Sequence, residues 1–401
     1  MDRQVPMSSP DLTAAEIEAV NQVLQTPYLS IGPRIAEFEE QFAALIGTRY
    51  AIGVSSGTTG LHLCVIAAAV GDGDLVITTP FSFVASANVI LYERAIPVFV
   101  DIDPHTLNID PTLVGEVVYD LARGSIAGKR WLPPSVQEAL PRHGCRPKAI
   151  LPVHAFGQPV DMDPILEVAH KYDLAVVEDS CEAVGAEYKG RKAGTLGDVA
   201  VFAFYPNKQM TTGEGGMIVT DRDDWDALFR SLRNQGRDIF EAWLNHSRLG
   251  YNYRLDEMSA ALGQAQLGRI EELLAKREQV ATWYNERLED VEGVQIPYIA
   301  STTSCMSWFV YVVRLAPEID RNAVMAALGK QGIPSRPYFT PIHLQPFYMQ
   351  RFGYRRGDFP VTEAVGDTCL ALPFSSVMTE EQVDYVCEHL VAVLQQEAAH
   401  F

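Results

Sequence analysis

The chain has 401 residues, of which 47% are hydrophobic and 21% charged, and its formal net charge is −19 at pH 7. The length allows two domains with separate cores, and the composition is ordinary for a soluble globular protein. Acidic residues outnumber basic ones and no basic cluster offsets them, which argues against a nucleic-acid-binding surface. No apolar run is long enough to span a membrane, so no membrane partner is predicted.

Cysteine and histidine spacing predicts no metal site. The six cysteines form neither a CxxC pair nor a Cys/His zinc pattern. His154 has no second ligand at suitable spacing, so we interpret it as a structural histidine. Residues 1–7 lack the apolar segment of a signal peptide. We therefore expect reduced thiols and a cytoplasmic protein.

Short apolar strands alternate with helical patterns over roughly the first 260 residues, which is typical of an α/β domain with a mostly parallel sheet. The first helix begins at a capping box, Thr13 to Glu16, and has Ile17, Val20 and Val23 on one face. Strands are predicted at residues 50–54, 75–79, 96–100, 149–153, 175–178, 199–204 and 217–220, and helices at 60–70, 84–92 and 164–172. Residues 120–147 form an insertion of weak periodicity with no assigned role.

The C-terminal part begins with one long amphipathic helix, predicted over residues 255–288. A strand at 308–315, a helix at 321–331 and a final helix opened by a Thr379–Gln382 capping box follow. We therefore predict a large α/β domain with an N-terminal arm over residues 1–260. Residues 261–401 would comprise the linking long helix and a small α+β domain.

Lys208 follows a buried, aromatic strand and precedes a glycine-rich turn. A lysine in that position loses hydration, which favours the neutral, nucleophilic amine that forms Schiff bases. From this window alone, a strand-end lysine that extends to solvent is an equal alternative.

Two further elements complement this lysine. Asp179 ends a buried strand, at the edge where open α/β sheets bind ligands, and its carboxylate could hold the pyridinium nitrogen of PLP. Residues 55–60 form a small-residue turn before an apolar helix, which suits a phosphate. Each element alone has a simpler interpretation as a cap. Together they are the parts that a PLP enzyme needs, and their order differs from that of a dehydrogenase.

With these motifs, the chain resembles the DegT/StrS (DegT/DnrJ) family of PLP-dependent nucleotide-sugar aminotransferases. The matching segments are SSGTTG at 55–60, PFSFVASAN at 80–88, PVHAFG at 152–157, EDSCEAVG at 178–185, FYPNK at 204–208, TGEGG at 212–216 and GYNYR at 250–254. The resemblance runs from about residue 5 to the end, with the insertion at 120–147 as its main gap. It implies fold type I, with a mostly parallel seven-stranded sheet in the large domain and a smaller α+β C-terminal domain.

The resemblance also implies roles for single residues. Lys208 matches the lysine that holds PLP and moves the proton between cofactor and substrate carbons. Asp179 matches the carboxylate on the pyridine nitrogen, and Phe83 the aromatic residue that stacks on the ring. The resemblance implies three further cofactor contacts in the turn at 55–60, namely Ser56, Gly57 and Thr58. Gly57 and Thr58 match residues that contact the phosphate.

Other positions bear on the substrate and on assembly. Asn252 matches a residue that reaches the phosphate from the partner subunit, which implies a homodimer with shared active sites. Ala203 stands where the family often has a phosphate-binding serine. Glu182, close to the cofactor, is more often Gln or His, which leaves the substrate open. Arg336 and His343 lie in a substrate-side loop, where they either contact the substrate or hold the loop in place.

The function that the resemblance implies is transfer of an amino group from an amino acid, glutamate, to a keto sugar carried on a nucleotide. Three alternatives remain. One is a keto-cyclitol substrate. Another is a PLP/PMP-dependent sugar dehydratase of the same fold, although those enzymes carry histidine where Lys208 stands. The last is a cofactor-binding regulatory or structural protein.

Overall fold

The structure is a computed structural model and describes residues 5–123, 126–139, 147–238 and 245–398. The strands are β1 (Tyr50–Val54), β2 (Leu75–Thr78), β3 (Ile96–Phe99), β4 (Pro147–Leu151), β5 (Ala175–Asp179), β6 (Glu187–Tyr188), β7 (Arg191–Lys192), β8 (Val199–Ala203), β9 (Gly216–Thr220), β10 (Val294–Gln295), β11 (Thr303–Cys305), β12 (Tyr311–Leu315) and β13 (Cys369–Leu372).

Helices surround these strands. They are α1 (Ala14–Leu24), α2 (Pro33–Ile46), α3 (Gly57–Ala67), α4 (Ala85–Tyr92), α5 (Pro111–Ala122), α6 (Ile126–Lys129), α7 (Pro134–Ala139), α8 (Met162–Tyr172), α9 (Asp223–Arg233), α10 (Glu257–Leu267), α11 (Ile270–Leu288), α12 (Arg321–Lys330), α13 (Pro346–Phe352), α14 (Pro360–Thr368) and α15 (Glu380–Ala398). Within the described ranges, none of them has the length and apolar character of a membrane-spanning helix.

Seven strands form the central sheet, in the order β1-β9-β8-β5-β4-β2-β3. Only β9 runs antiparallel to its neighbours. The predicted mostly parallel, seven-stranded sheet is therefore confirmed, and all seven predicted strands lie in it. All residues of β8 and β9 are buried, as expected for strands with helices on both faces of the sheet. Because β5 and β8 are parallel neighbours, their carboxyl ends meet at one edge.

The predicted capping box of α1 is present, but the buried face of this helix differs from the prediction. Ile17 is 62% exposed, whereas Glu16 is 1% exposed. The Glu16 carboxylate accepts hydrogen bonds from Gln266 Nε2 and from Arg269 Nη1, each at 2.8 Å. These charge-assisted bonds place Glu16 on the buried side of α1 together with Val23, whereas Ile17 lies on the exposed side.

The prediction of one helix over residues 255–288 is wrong, because α10 ends at Leu267 and α11 begins at Ile270. Gly268, a poor helix former, stands at the break. Arg269 has φ −116° and ψ 11°, outside the helical region. Its guanidinium pairs with Asp11 at 2.9 Å as well as with Glu16. These long-range ion pairs hold Arg269 at the break between the two helices. The helical periodicity of the sequence does not reveal them.

The C-terminal residues form a second sheet in the order β10-β12-β13, antiparallel throughout. Its core includes α11, α12 and α15, and Val5 packs into the same core. The Val5 N–H donates to the Gly332 carbonyl at 3.2 Å, so the N-terminal segment contacts the C-terminal core. The predicted domain bounds at 260 and 261 stay a prediction. Of the insertion at 120–147, residues 124–125 and 140–146 lie outside the described residues.

Glu39 of α2 connects three elements beneath the turn that follows β1. Its side chain is buried and accepts the Gly53 N–H at 2.9 Å. Arg230 of α9 pairs with it at 2.8 Å, and Arg233 contacts its other oxygen. The carboxylate thus accepts a hydrogen bond from a strand N–H and forms ion pairs with two arginines at the same time.

We predict that Glu39→Ala lowers the free energy of unfolding by about 3 kcal/mol or more, since it removes the buried carboxylate that two partly buried arginines share and leaves Arg230 with Asp226 alone as its acidic partner among the described residues. The matched control is Glu37→Ala on the same helix, where the exposed pair with Arg34 should contribute less than about 1 kcal/mol. Urea unfolding of both variants measures the difference. Equal losses would show that the Glu39 cluster does not stabilise this region.

Candidate active site

A cavity of about 460 Å³ opens at the carboxyl edge of β5 and β8. Seven of the predicted site residues line it: Ser56, Gly57, Thr58, Phe83, Asp179, Glu182 and Lys208. The segments that carry them are distant in sequence, and the parallel sheet brings them together at one edge. A second cavity, of about 860 Å³, adjoins the first and shares Phe83, Tyr338 and Phe339 with it.

The N-terminus of α3 forms one wall. Ser56 is its N-cap: Ser56 Oγ accepts the Thr59 N–H at 3.2 Å, and Thr59 Oγ1 accepts the Ser56 N–H at 3.0 Å. The N–H groups of Gly57 and Thr58 belong to the first turn, where a helix offers them no acceptor, and the helix dipole is positive there. A Cβ on Gly57 would lie 2.8 Å from Ala203 Cβ. Only glycine permits this close approach of the turn to β8.

The last two residues of β5 point to opposite faces of the sheet. Glu178 is fully buried and accepts N–H groups from Leu196 at 2.7 Å and Gly197 at 2.6 Å. Its other oxygen is 3.0 Å from His154 Nε2. Since the Val160 N–H donates to His154 Nδ1 at 3.1 Å, the ring proton is on Nε2. His154 therefore has a structural partner at each nitrogen.

Asp179 faces the cavity. Burial raises its pKa, and this effect outweighs the bond from Cys181 and the positive charge of Lys208, which both act in the other direction. The Cys181 N–H donates to Asp179 Oδ1 at 3.1 Å. A buried carboxylate with so little compensation is suited to a cationic or N–H-bearing ligand group.

Lys208 Nζ lies between an acid and an aromatic ring. It is 3.4 Å from Glu182 Oε1 and 3.8 Å from the centroid of the Phe309 ring. The Phe156 N–H holds the other Glu182 oxygen at 2.8 Å. Burial raises the pKa of Glu182, while the charge of Lys208 opposes that rise. Of the described residues that line the cavity, Lys208 is the one lysine.

These groups fit PLP. The first turn of α3 offers N–H groups and hydroxyls for a phosphate. Asp179 offers a carboxylate for the pyridine nitrogen, and Lys208 offers an amine that can form a Schiff base. Phe83 is 64% exposed, so its ring is available to a bound group. Ala203 has no hydroxyl, and the side chains of Ser56 and Thr58 remain for the phosphate.

Three predicted residues lie outside this cavity. Asn252 is exposed, and its backbone bridges to Asn234. Arg336 is also exposed, and its guanidinium bonds the Ser335 carbonyl at 2.9 Å. His343 is fully buried, with Nε2 3.0 Å from Glu363 Oε1. Of the two roles that the sequence left open for His343, substrate contact and loop anchoring, this geometry favours loop anchoring.

Sequence reasoning missed several residues of the cavity wall. Tyr205 and Asn207 line it and stand inside the FYPNK motif, so the motif itself could have identified them. Tyr338 lines both cavities. Phe309 comes from the C-terminal part of the chain, and no local pattern in the sequence connects it to Lys208.

The comparisons with known proteins agree with this geometry. The model of the DegT/DnrJ/EryC1/StrS aminotransferase family matches residues 10–391. GDP-perosamine synthase of Caulobacter vibrioides is 40% identical over 395 residues, which cover 98% of this chain and 98% of that protein.

Solved structures are similar over nearly the whole chain. Helicobacter pylori PseC, an aminotransferase involved in the biosynthesis of pseudoaminic acid, has a TM-score of 0.86 at 26% identity, covering 98% of this chain and 100% of that one. Spr1654 of Streptococcus pneumoniae, also 26% identical, has a TM-score of 0.86 in its PLP form, over 98% of this chain and 99% of that one. Its PMP form has a TM-score of 0.87, over 99% of each chain. The chain therefore belongs to the DegT/DnrJ/EryC1/StrS family of PLP-dependent aminotransferases.

Proposed function

We propose that this protein transfers an amino group from an amino acid, glutamate, to a keto sugar carried on a nucleotide, in amino-sugar biosynthesis. The observation that carries the proposal is the convergence of Lys208, Asp179 and the N-terminus of α3 in one cavity. The printed names of two similar proteins, GDP-perosamine synthase and the pseudoaminic acid enzyme PseC, support a sugar substrate.

Bound PLP would supply an electron sink for the carbanion that forms when the donor amino acid loses its α-proton. In that reaction Lys208 Nζ would take up the α-proton as a general base and then return it as a general acid. Asp179, as a carboxylate, would hold the protonated pyridine nitrogen. Glu182, 3.4 Å from Nζ, is placed to bond the ammonium form of Lys208.

The lysine separates this proposal from its main alternatives. A PLP/PMP-dependent sugar dehydratase of the same fold would carry histidine at this position, whereas this chain has Lys208. A regulatory or structural protein would have no need for a lysine, a buried acid and a helix N-terminus in one cavity. A keto-cyclitol remains an alternative acceptor, and the acceptor assay below includes one.

We predict that Lys208→Ala abolishes the absorbance of lysine-bound PLP and lowers the rate of amino transfer by at least about 1,000-fold, because both attachment and proton transfer need Nζ. The matched control is Lys171→Ala, which removes an exposed lysine and should leave both quantities unchanged. Absorbance spectra after addition of glutamate measure the donor half-reaction. Keto-sugar nucleotides and a keto-cyclitol are then tested for return of the original spectrum.

An unchanged spectrum in Lys208→Ala would contradict the assignment of the lysine. If the wild-type protein accepts glutamate but none of the keto-sugar nucleotides restores its spectrum, the acceptor is of another class. Return of the spectrum with the keto-cyclitol alone would establish that alternative.

We further propose a cytoplasmic homodimer in which Asn252 completes the partner's site. In its own chain Asn252 is exposed and does not line the cavity. It precedes Tyr253, whose carbonyl accepts the Ser55 N–H at 2.9 Å. The segment that carries Asn252 is thus held against the phosphate-binding turn, and the amide itself remains available to a second subunit.

Mixing two defective variants tests the shared site. We predict that Lys208→Ala has no activity and that Asn252→Ala holds PLP more weakly. After unfolding and refolding together in equal amounts, about half of the dimers are hybrids, each with one intact site, so activity should recover to roughly a quarter of wild type. No recovery in refolded hybrids, or a monomer in sedimentation analysis, would contradict the proposal.

A further inference from the structure

Arg277 of α11 is a buried cation to which no described residue offers an anionic partner. Its side chain is only 2% exposed. Within the described residues its guanidinium bonds four backbone carbonyls. These belong to Trp308 at 3.3 Å, Phe309 at 3.1 Å, Asn207 at 3.2 Å and Lys208 at 2.6 Å. In the part of the chain that the structure describes, no acceptor forms a hydrogen bond with its Nε.

Stability alone is a poor reason for this arrangement. Desolvating a charged group is costly unless an opposite charge compensates it. A protein with an apolar side chain of similar volume at such a position is often at least as stable. Burial lowers the pKa of Arg277 to about 10, so the group is still protonated at neutral pH. The buried carboxylate of Glu39, by contrast, pairs with Arg230 and Arg233.

The four carbonyls belong to two segments that meet at Lys208. Asn207 and Lys208 follow β8 in the large sheet, whereas Trp308 and Phe309 precede β12 of the second sheet. The Phe309 ring is the surface against which Lys208 Nζ lies, 3.8 Å from the centroid. Arg277 therefore bonds the backbone of the lysine and the backbone of the ring that supports its amine.

We propose that Arg277 is a positioning residue for Lys208, fixing the lysine and Phe309 relative to each other so that Nζ is held at the cavity wall. Its planar guanidinium can bond several carbonyls at once, which a lysine ammonium on a flexible stem cannot do in the same geometry. The inference rests on the proposed role of Lys208, because only a reacting amine requires such placement.

The test compares Arg277→Met and Arg277→Lys with a control, Arg321→Met. Arg321 also bonds backbone carbonyls, those of Gly366 at 2.7 Å and Cys369 at 3.2 Å, and it does not line the cavity. Each protein is assayed well below its melting temperature. Two rates are measured. The first is the rate at which PLP attaches to Lys208 of the cofactor-free protein, with the product trapped by borohydride and followed by peptide mass. The second is the rate of the single-turnover reaction with glutamate.

For Arg277→Met we expect both rates to fall about 10- to 100-fold, because misplacement of a reacting group by about 1 Å has effects of that size. The glutamate concentration for half-maximal rate should change less than about threefold, since Arg277 does not line the cavity. Arg277→Lys should recover part of the loss. Arg321→Met should lose stability while keeping both rates within about twofold of wild type.

Rates within twofold of wild type in folded Arg277→Met would overturn the proposal. If that variant does not fold, Arg277→Lys decides: unchanged rates overturn the proposal, and a loss that exceeds that of Arg321→Met supports it. A wild-type protein that does not attach PLP to Lys208 would overturn the proposed function instead, so the two failures are distinguishable.

Discussion

The position of the active-site acid depends on the burial of its neighbour in the chain. Glu178 is fully buried, and its carboxylate accepts three backbone N–H groups from residues 194–197 as well as the His154 ring N–H. Such saturation makes a buried carboxylate tolerable and fixes the end of β5. Because successive strand residues face opposite sides, fixing Glu178 on one side of the sheet aims Asp179 at the cavity on the other.

The rest of the site follows from how closely other elements approach this strand end. Gly57 lets the N-terminus of α3 come against Ala203, so the positive end of a helix lies in the same cavity as two buried acids, Asp179 and Glu182. Burial raises the pKa of both acids, while the charge of Lys208 opposes the rise. The cavity thus combines a site for an anion with acids that favour a cation, which is the charge pattern of a phosphorylated pyridinium ring.

Much of this arrangement could be predicted from the sequence, because strand ends in a parallel sheet converge at one edge. The alternation of short apolar segments with helical patterns predicts the seven strands. The grouping of Lys208 and Asp179 with residues 55–60 rests on the convergence of strand ends. The break at Gly268 and the contact of Phe309 with Lys208 could not be predicted in this way. The break depends on ion pairs of Arg269 with Asp11 and Glu16, and the contact depends on the segment that precedes β12. Local periodicity does not register partners so far away in the chain.

A crystal structure of the protein loaded with PLP tests the central claim most directly. The account predicts continuous electron density between Lys208 Nζ and the cofactor, the pyridine nitrogen within hydrogen-bond distance of Asp179, and the phosphate at the N–H groups of Gly57 and Thr58. Cofactor bound without a link to Lys208, or with its ring nitrogen away from Asp179, would contradict it.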